Sequence, residues 1–240
     1  MNRTCTTVTL FFKYITGHHC PHILQIGCLK MNTSSYTQAI GSYSIVPVIK
    51  EALKMRVTAV LLVLIKLCVA QDDECGVVPM TQWVGQASLR TDLLHNPVDL
   101  VIIQHSVYGA CTTDEDCEKA VRGTREYHIT KKGFTDIGTS FLVGGNGKVY
   151  EGAGWSLIGA HTRHYNNLSI GISFLGDFRK TLPTSEALQA TKDLISCGVS
   201  HNFLAQTYRL IGHKQVVQTE SPGTELQREI ETWSHWVDNV

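Results

Sequence analysis

Three things are scarce in this chain of 240 residues. No apolar stretch has the length of about 20 residues that a bilayer span requires. The most apolar one, residues 57–69, is shorter and is interrupted by Lys66. No Cys-x-x-Cys pair occurs, which argues against the common cysteine-built zinc modules. Acidic residues are nearly missing from the first 70 positions, where Glu51 stands alone against seven Lys/Arg. Residues 71–240 instead hold fourteen Lys/Arg and twenty Asp/Glu. The balances are +6 and −6, so the zero net charge is the sum of two unlike parts. A −6 domain argues against a nucleic-acid binder or a cationic membrane-lytic protein. There is also no internal repeat, low-complexity tract or interdomain linker, and stable membrane insertion is not expected.

What is present divides the chain into segments. Residues 55–70 read as a secretory signal peptide, with basic Arg56, a short apolar stretch and small residues before a cut after Ala70. Translation is expected to start at Met55, with 1–54 coming from an over-extended gene model. The alternative is a cytoplasmic tail on a signal anchor. The expected mature domain, 71–240, has four cysteines: Cys75, Cys111, Cys117 and Cys197. An even number in a secreted chain points to two disulfides, for which three pairings exist. Cys111 and Cys117 could close a small loop, and Cys75 would then tie the N-terminal segment to Cys197.

The pattern of elements is interleaved. Residues 99–105 read as a buried strand. Thr113 is an N-cap followed by Asp114, Glu115 and Asp116, opening a helix that runs to about Lys131 and stops at Gly133. Two strands, 139–143 and 148–151, flank an Asn-Gly turn, and 169–175 alternates as a further strand. A second helix runs from Pro183-Thr184-Ser185-Glu186 to about Asn202, with Ala187, Ala190, Leu194 and Val199 on its inner side. A short strand, Tyr208 to Ile211, and a last helix, Gly223 to Trp233, complete the chain. This order predicts one α/β domain with a mixed central sheet flanked by helices.

Two histidines mark a candidate site, because His105 ends a strand and His213 follows another, where ligands often bind in such sheets. Thr219 and Ser221 lie close behind His213. These residues belong to a wider set: Val101-Ile102-Ile103-Gln104-His105-Ser106, the run from Asp136-Ile137-Gly138-Thr139 to Gly147, Val149-Tyr150-Glu151-Gly152-Ala153-Gly154-Trp155, Gly159-Ala160-His161-Thr162, Tyr165-Asn166, Gly171 to Gly176, and Gly212-His213 through Thr219-Glu220-Ser221-Pro222-Gly223. Together they resemble the peptidoglycan recognition proteins, above all the short secreted insect type, and their relatives the zinc-dependent N-acetylmuramoyl-L-alanine amidases. The resemblance spans about Val78 to Trp236.

The resemblance implies an amidase-like fold and the disulfides Cys111–Cys117 and Cys75–Cys197. In its catalytic members zinc is held by two His and one Cys, at positions matching His105, His213 and Ser221. A Tyr that assists at the cleaved carbonyl matches Thr139. An alcohol is a poor zinc ligand beside a thiolate, and Thr is too short for the phenol's role. No metal, cofactor or amidase activity is therefore expected. The remaining groove is expected to bind bacterial peptidoglycan through His105, His128, Phe134, Thr139, Trp155, His161, Asn166, His213 and Ser221. Residue-level alternatives are a solvated helical position for His128 and a core position for Trp155.

Members that prefer diaminopimelate peptidoglycan carry Gly-Trp and an Arg at positions matching Gly133-Phe134 and Asn167. The missing cation favours the lysine type, unless Arg163 or Lys132 supplies the charge. Asn167-Leu168-Ser169 is also a glycosylation sequon. Met80, where the family commonly has Arg, is expected to affect packing only. The function implied is a secreted, non-catalytic pattern-recognition receptor whose partners start an extracellular immune protease cascade. The alternatives are a serine-dependent peptidoglycan hydrolase or carboxypeptidase using Ser221, and a residual zinc amidase.

Overall fold

A computed structural model describes residues 74–240. The upstream segment 1–54 and the expected signal peptide 55–70 lie outside these residues. The sheet strands are β1 (Val77–Val78), β2 (Val98–His105), β3 (Phe141–Val143), β4 (Val149–Glu151), β5 (Ser169–Phe174) and β6 (Leu204–Gly212). The helices are α1 (Met80–Trp83), α2 (Asp114–Thr130), α3 (Ser185–Ser200) and α4 (Thr224–Ile230). Their order across the sheet is β1-β4-β3-β5-β2-β6. Only the β3–β4 pair is antiparallel, so the sheet is mixed as the interleaved pattern predicts.

Both faces of the central strands are covered, which is why β2 reads as a nearly continuous apolar run. Val101 and Ile103 of β2 join Ile170, Ile172 and Phe174 of β5 under Ala187, Leu194 and Ile195 of α3 and Leu226 and Ile230 of α4. On the opposite face, Leu142 and Tyr150 pack with Met80 and Trp83 of α1 and with Cys117 and Val121 of α2. Further along that face, Leu100, Ile102 and Ile211 pack under Tyr165 and Val216. Met80 is thus an apolar core residue.

Local chemistry sets the element ends. The Thr113 hydroxyl accepts from Asp116 N–H at the start of α2, and the Thr184 hydroxyl from Ala187 N–H at the start of α3. The β3–β4 turn closes with Gly147 N–H on Gly144 O, and Gly147 has φ +75°, where a side chain would be strained. Disulfides join Cys75 to Cys197 and Cys111 to Cys117. The first spans 122 residues, a loop for which chain entropy gives about 4–5 kcal/mol.

Four element expectations are corrected. All six residues of β5 are buried, so it does not alternate. The buried side of α3 is Ala187, Thr191, Leu194, Ile195 and Gly198, with Ala190 and Val199 only at its margin. Strand β6 begins at Leu204 rather than Tyr208, because Leu204 pairs with Val98 ahead of a register shift. Its intervening residues, Ala205 to Thr207, carry no apolar alternation. Helix α4 stops at Ile230, and Trp233 N–H bonds Ile230 O in the turn beyond it.

Candidate functional site

The site forms on the face of the sheet shared by α2 and the loop 159–168. Its first wall is the end of α2. His128 Nδ1 accepts the backbone N–H of Gly138 at 2.9 Å, so the ring proton sits on Nε2. Phe134 stands 5.5 Å from the His128 ring and closes over Gly138. His128 is therefore not a solvated helical side chain. Burial, followed by Arg90 and Lys132, pushes its pKa down to about 4.

Thr139 follows at once and is buried, and its Oγ1 has no hydrogen-bond partner. The segment is anchored from behind by Asp136, whose carboxylate takes Arg125 at 2.7 Å and the N–H groups of Leu89 and Ile137. Burial alone would raise the Asp136 pKa, but these donors, led by Arg125, outweigh it. Arg90 donates to Asp136 O and Ile137 O, both at 3.0 Å.

The second wall is the loop 159–168. The His161 ring lies flat on the sheet, possible only because Gly171 and Gly159 have no Cβ. A Cβ at Gly171 would stand 2.4 Å from His161 Cγ, and one at Gly159 2.8 Å from Cδ2. Burial, then His213, pushes the His161 pKa down to about 3. Its Nε2 is enclosed and unpartnered. Asn166 Oδ1 accepts Thr162 N–H at 2.8 Å and so holds the loop in shape. Gln104 reaches across from β2 and donates its Nε2 to His161 O and Thr162 Oγ1, at 3.1 and 2.9 Å.

His213 opens a single 3₁₀ turn (His213–Gln215) directly after β6. Burial, then His105, pushes its pKa down to about 4. Ser221 is buried, and its Oγ accepts the backbone N–H of His105 at 3.0 Å. Thr219 is exposed and accepts Ser221 N–H.

One predicted site residue, Trp155, lies elsewhere. His105, expected in the groove, ends β2 where its backbone N–H meets Ser221 Oγ and where it acts electrostatically on His213. Its Nδ1 accepts Phe178 N–H, and Phe178 packs against the core under α3 and α4. Gln104 takes the groove-facing position, sharing the side of Leu100 and Ile102. Burial lowers the His105 pKa. Trp155 is core, as its alternative reading had it: its ring lies 4.6 Å from Phe141 and 5.0 Å from Phe203, stacked on the latter. Gln104, Arg90 and Asp136 were not read as site residues. The signal for Gln104 was strand parity, hidden because β2 is apolar on both faces. Asn167, Arg163 and Lys132 are exposed at the rim, with the Lys132 ammonium over the Tyr127 ring. Two open surface depressions, around Val216 and Gln218 and around Gly147 and Glu186, hold none of the predicted residues.

The donor set does not suit zinc. His105 Nδ1 already accepts Phe178 N–H, and the Ser221 oxygen is a neutral alcohol already accepting an N–H. Among the described residues, the one cluster of three metal-type ligands is Cys75, Cys197 and His201, and its two sulfurs are joined as a disulfide. What the site does offer is neutral: imidazoles with depressed pKa values, an unpartnered hydroxyl and carboxamides.

A model of the N-acetylmuramoyl-L-alanine amidase family matches residues 94–224. A peptidoglycan recognition protein of Trichoplusia ni is 46% identical over 180 residues, covering 75% of this chain and 99% of that protein. Peptidoglycan-recognition protein SA of Drosophila melanogaster is 44% identical over 158 residues, 66% of this chain and 78% of that protein. Among solved structures, bumblebee PGRP-SA superposes with a TM-score of 0.67 at 40% identity, covering 68% of this chain and 98% of its own. Peptidoglycan recognition protein-LE, solved with tracheal cytotoxin, a monomeric diaminopimelic acid-type peptidoglycan, gives 0.66 at 39% identity, covering 68% and 96%. On sequence, fold and extent of match, this chain belongs to the peptidoglycan recognition proteins of the N-acetylmuramoyl-L-alanine amidase superfamily.

Proposed function

We propose that this protein binds bacterial peptidoglycan fragments between α2 and the loop 159–168 and does not cleave them. One observation carries the reading: of six buried side-chain polar atoms without a protein partner among the described residues, two, Thr139 Oγ1 and His161 Nε2, belong to the predicted groove residues. Such atoms are costly in a folded protein unless a ligand or water satisfies them. A muramyl sugar with its stem peptide, dense in hydroxyls and amides, is such a ligand. The tracheal cytotoxin bound by the LE relative, and by the ectodomain complex of the LCa and LCx relatives, supports the same chemistry. The donor set that does not suit zinc supports binding without hydrolysis.

The biological role that fits is a secreted pattern-recognition receptor. It would present bound peptidoglycan to partners that start an extracellular immune protease cascade. Two disulfides, and the lack of any described helix long and apolar enough to cross a membrane, are compatible with that role. The alternatives draw no support from Ser221, whose Oγ has no imidazole within hydrogen-bond distance among the described residues.

The stem-peptide preference is assigned to the lysine type, since Asn167 offers no cation for a diaminopimelate carboxylate. Calorimetry with lysine-type and diaminopimelate-type muramyl peptides tests this. Tighter binding of the lysine type, reversed by Asn167→Arg, is expected. Equal binding, or a diaminopimelate preference in the unmodified protein, overturns the assignment.

A further inference from the structure

Among the described residues, Gln104 is the one buried carboxamide that reaches the site from the sheet itself. Which of its atoms is nitrogen is settled by chemistry: His161 O can only accept, so the atom 3.1 Å away must donate. The second hydrogen of Nε2 goes to Thr162 Oγ1 at 2.9 Å. Both donors are thus used within the protein. The other end differs. Oε1 has no partner among the described residues, yet it is not one of the enclosed atoms. The residue is 5% exposed, so the side chain is held and only its tip is open.

We infer that Gln104 is a ligand-recognition residue that presents Oε1 as a fixed acceptor for a backbone N–H of the stem peptide. This rests on the peptidoglycan-binding reading. Three features favour an amide N–H as the group received. Oε1 is neutral and is made a better acceptor by the two bonds its own Nε2 donates. Its neighbours on this face, His161 and Thr139, are themselves uncharged, so the surroundings suit a neutral donor rather than an ion. The carboxamide is already immobilised, so binding costs little further side-chain entropy.

The test pairs a protein change with a ligand change. The full chain and its Gln104→Met variant are titrated by calorimetry with N-acetylmuramyl pentapeptide. The same is done with analogues in which one stem amide N–H at a time is replaced by an ester oxygen. One analogue should bind the unmodified protein about tenfold more weakly, a coupling of about 1.4 kcal/mol, and bind Gln104→Met no worse than the parent peptide does. Gln104→Ala provides the same cycle if thermal unfolding shows the Met variant to be misfolded. Thr162→Val, which removes one anchor but leaves Oε1, should weaken the parent peptide while keeping the coupling. If every ester replacement costs the unmodified and variant proteins equally, Gln104 makes no such contact. If the unmodified protein fails to bind the parent peptide at all, the peptidoglycan-binding reading falls with it.

Discussion

The two sides of the central sheet obey different rules. Under α3 and α4, side chains from β2 and β5 interdigitate with helix residues, and Trp155 fills the space between Phe141 and Phe203. On the other face, between α2 and the loop 159–168, glycines admit the His161 ring and imidazoles are kept uncharged. The first side is built for stability. The second gives up stability for groups that a ligand completes. One strand, β2, serves both, sending Val101 and Ile103 one way and Ile102 and Gln104 the other.

Breaking the packed side should cost the most stability and leave the site alone. Trp155→Ala is expected to lose about 3–5 kcal/mol in denaturant unfolding, with unchanged peptide affinity for the folded fraction. Should affinity fall in parallel with stability, Trp155 would be returned to the groove. Gly171→Ala attacks the other side. Its Cβ would meet the His161 ring at 2.4 Å, so the ring must move. Binding should be lost for a stability cost of about 1–3 kcal/mol, read by calorimetry beside thermal melting.

Acid separates the two sides by charge. The His161 pKa is pushed down to about 3, and those of His128 and His213 to about 4. In the unfolded chain all three return to about 6.5. Below that value the unfolded state takes up protons that the folded state refuses. Stability is therefore fully present above about pH 6.5 and declines as the pH falls towards 4 and then 3. Imidazole resonances in the folded protein should stay neutral through pH 5.5. Titration near 6.5 would show these rings to be open to solvent.

The smallest expected effect has the opposite sign. Thr139→Val removes an unpartnered buried hydroxyl at nearly constant shape. It should raise stability by up to about 1 kcal/mol while weakening peptide binding. A loss of stability would mean that the hydroxyl has a partner in solution.

Much of this was legible in the chain. The Thr113 and Thr184 caps, the Asn146-Gly147 turn and the apolar run of β2 announced their elements through local chemistry. The disulfide pairing came from the family resemblance. Strand β6 was seen only in its apolar half, because its exposed residues have no pattern. The site was half legible. Of the predicted residues, His128 packs on the backbone of Gly138, His161 on Gly171, and Asn166 on Thr162. Gln104 was missed because a strand apolar on both faces hides its parity, and only the cover on each side reveals which residue faces which way. Arg90 was invisible for a different reason: it acts on backbone carbonyls, which leave no trace in side-chain pattern.

The most direct test measures metal content, muramyl-peptide binding and amide cleavage on one purified sample. A neutral site completed by its ligand predicts saturable binding, substoichiometric zinc and intact peptide. Stoichiometric zinc with release of the stem peptide from the muramyl sugar would contradict it.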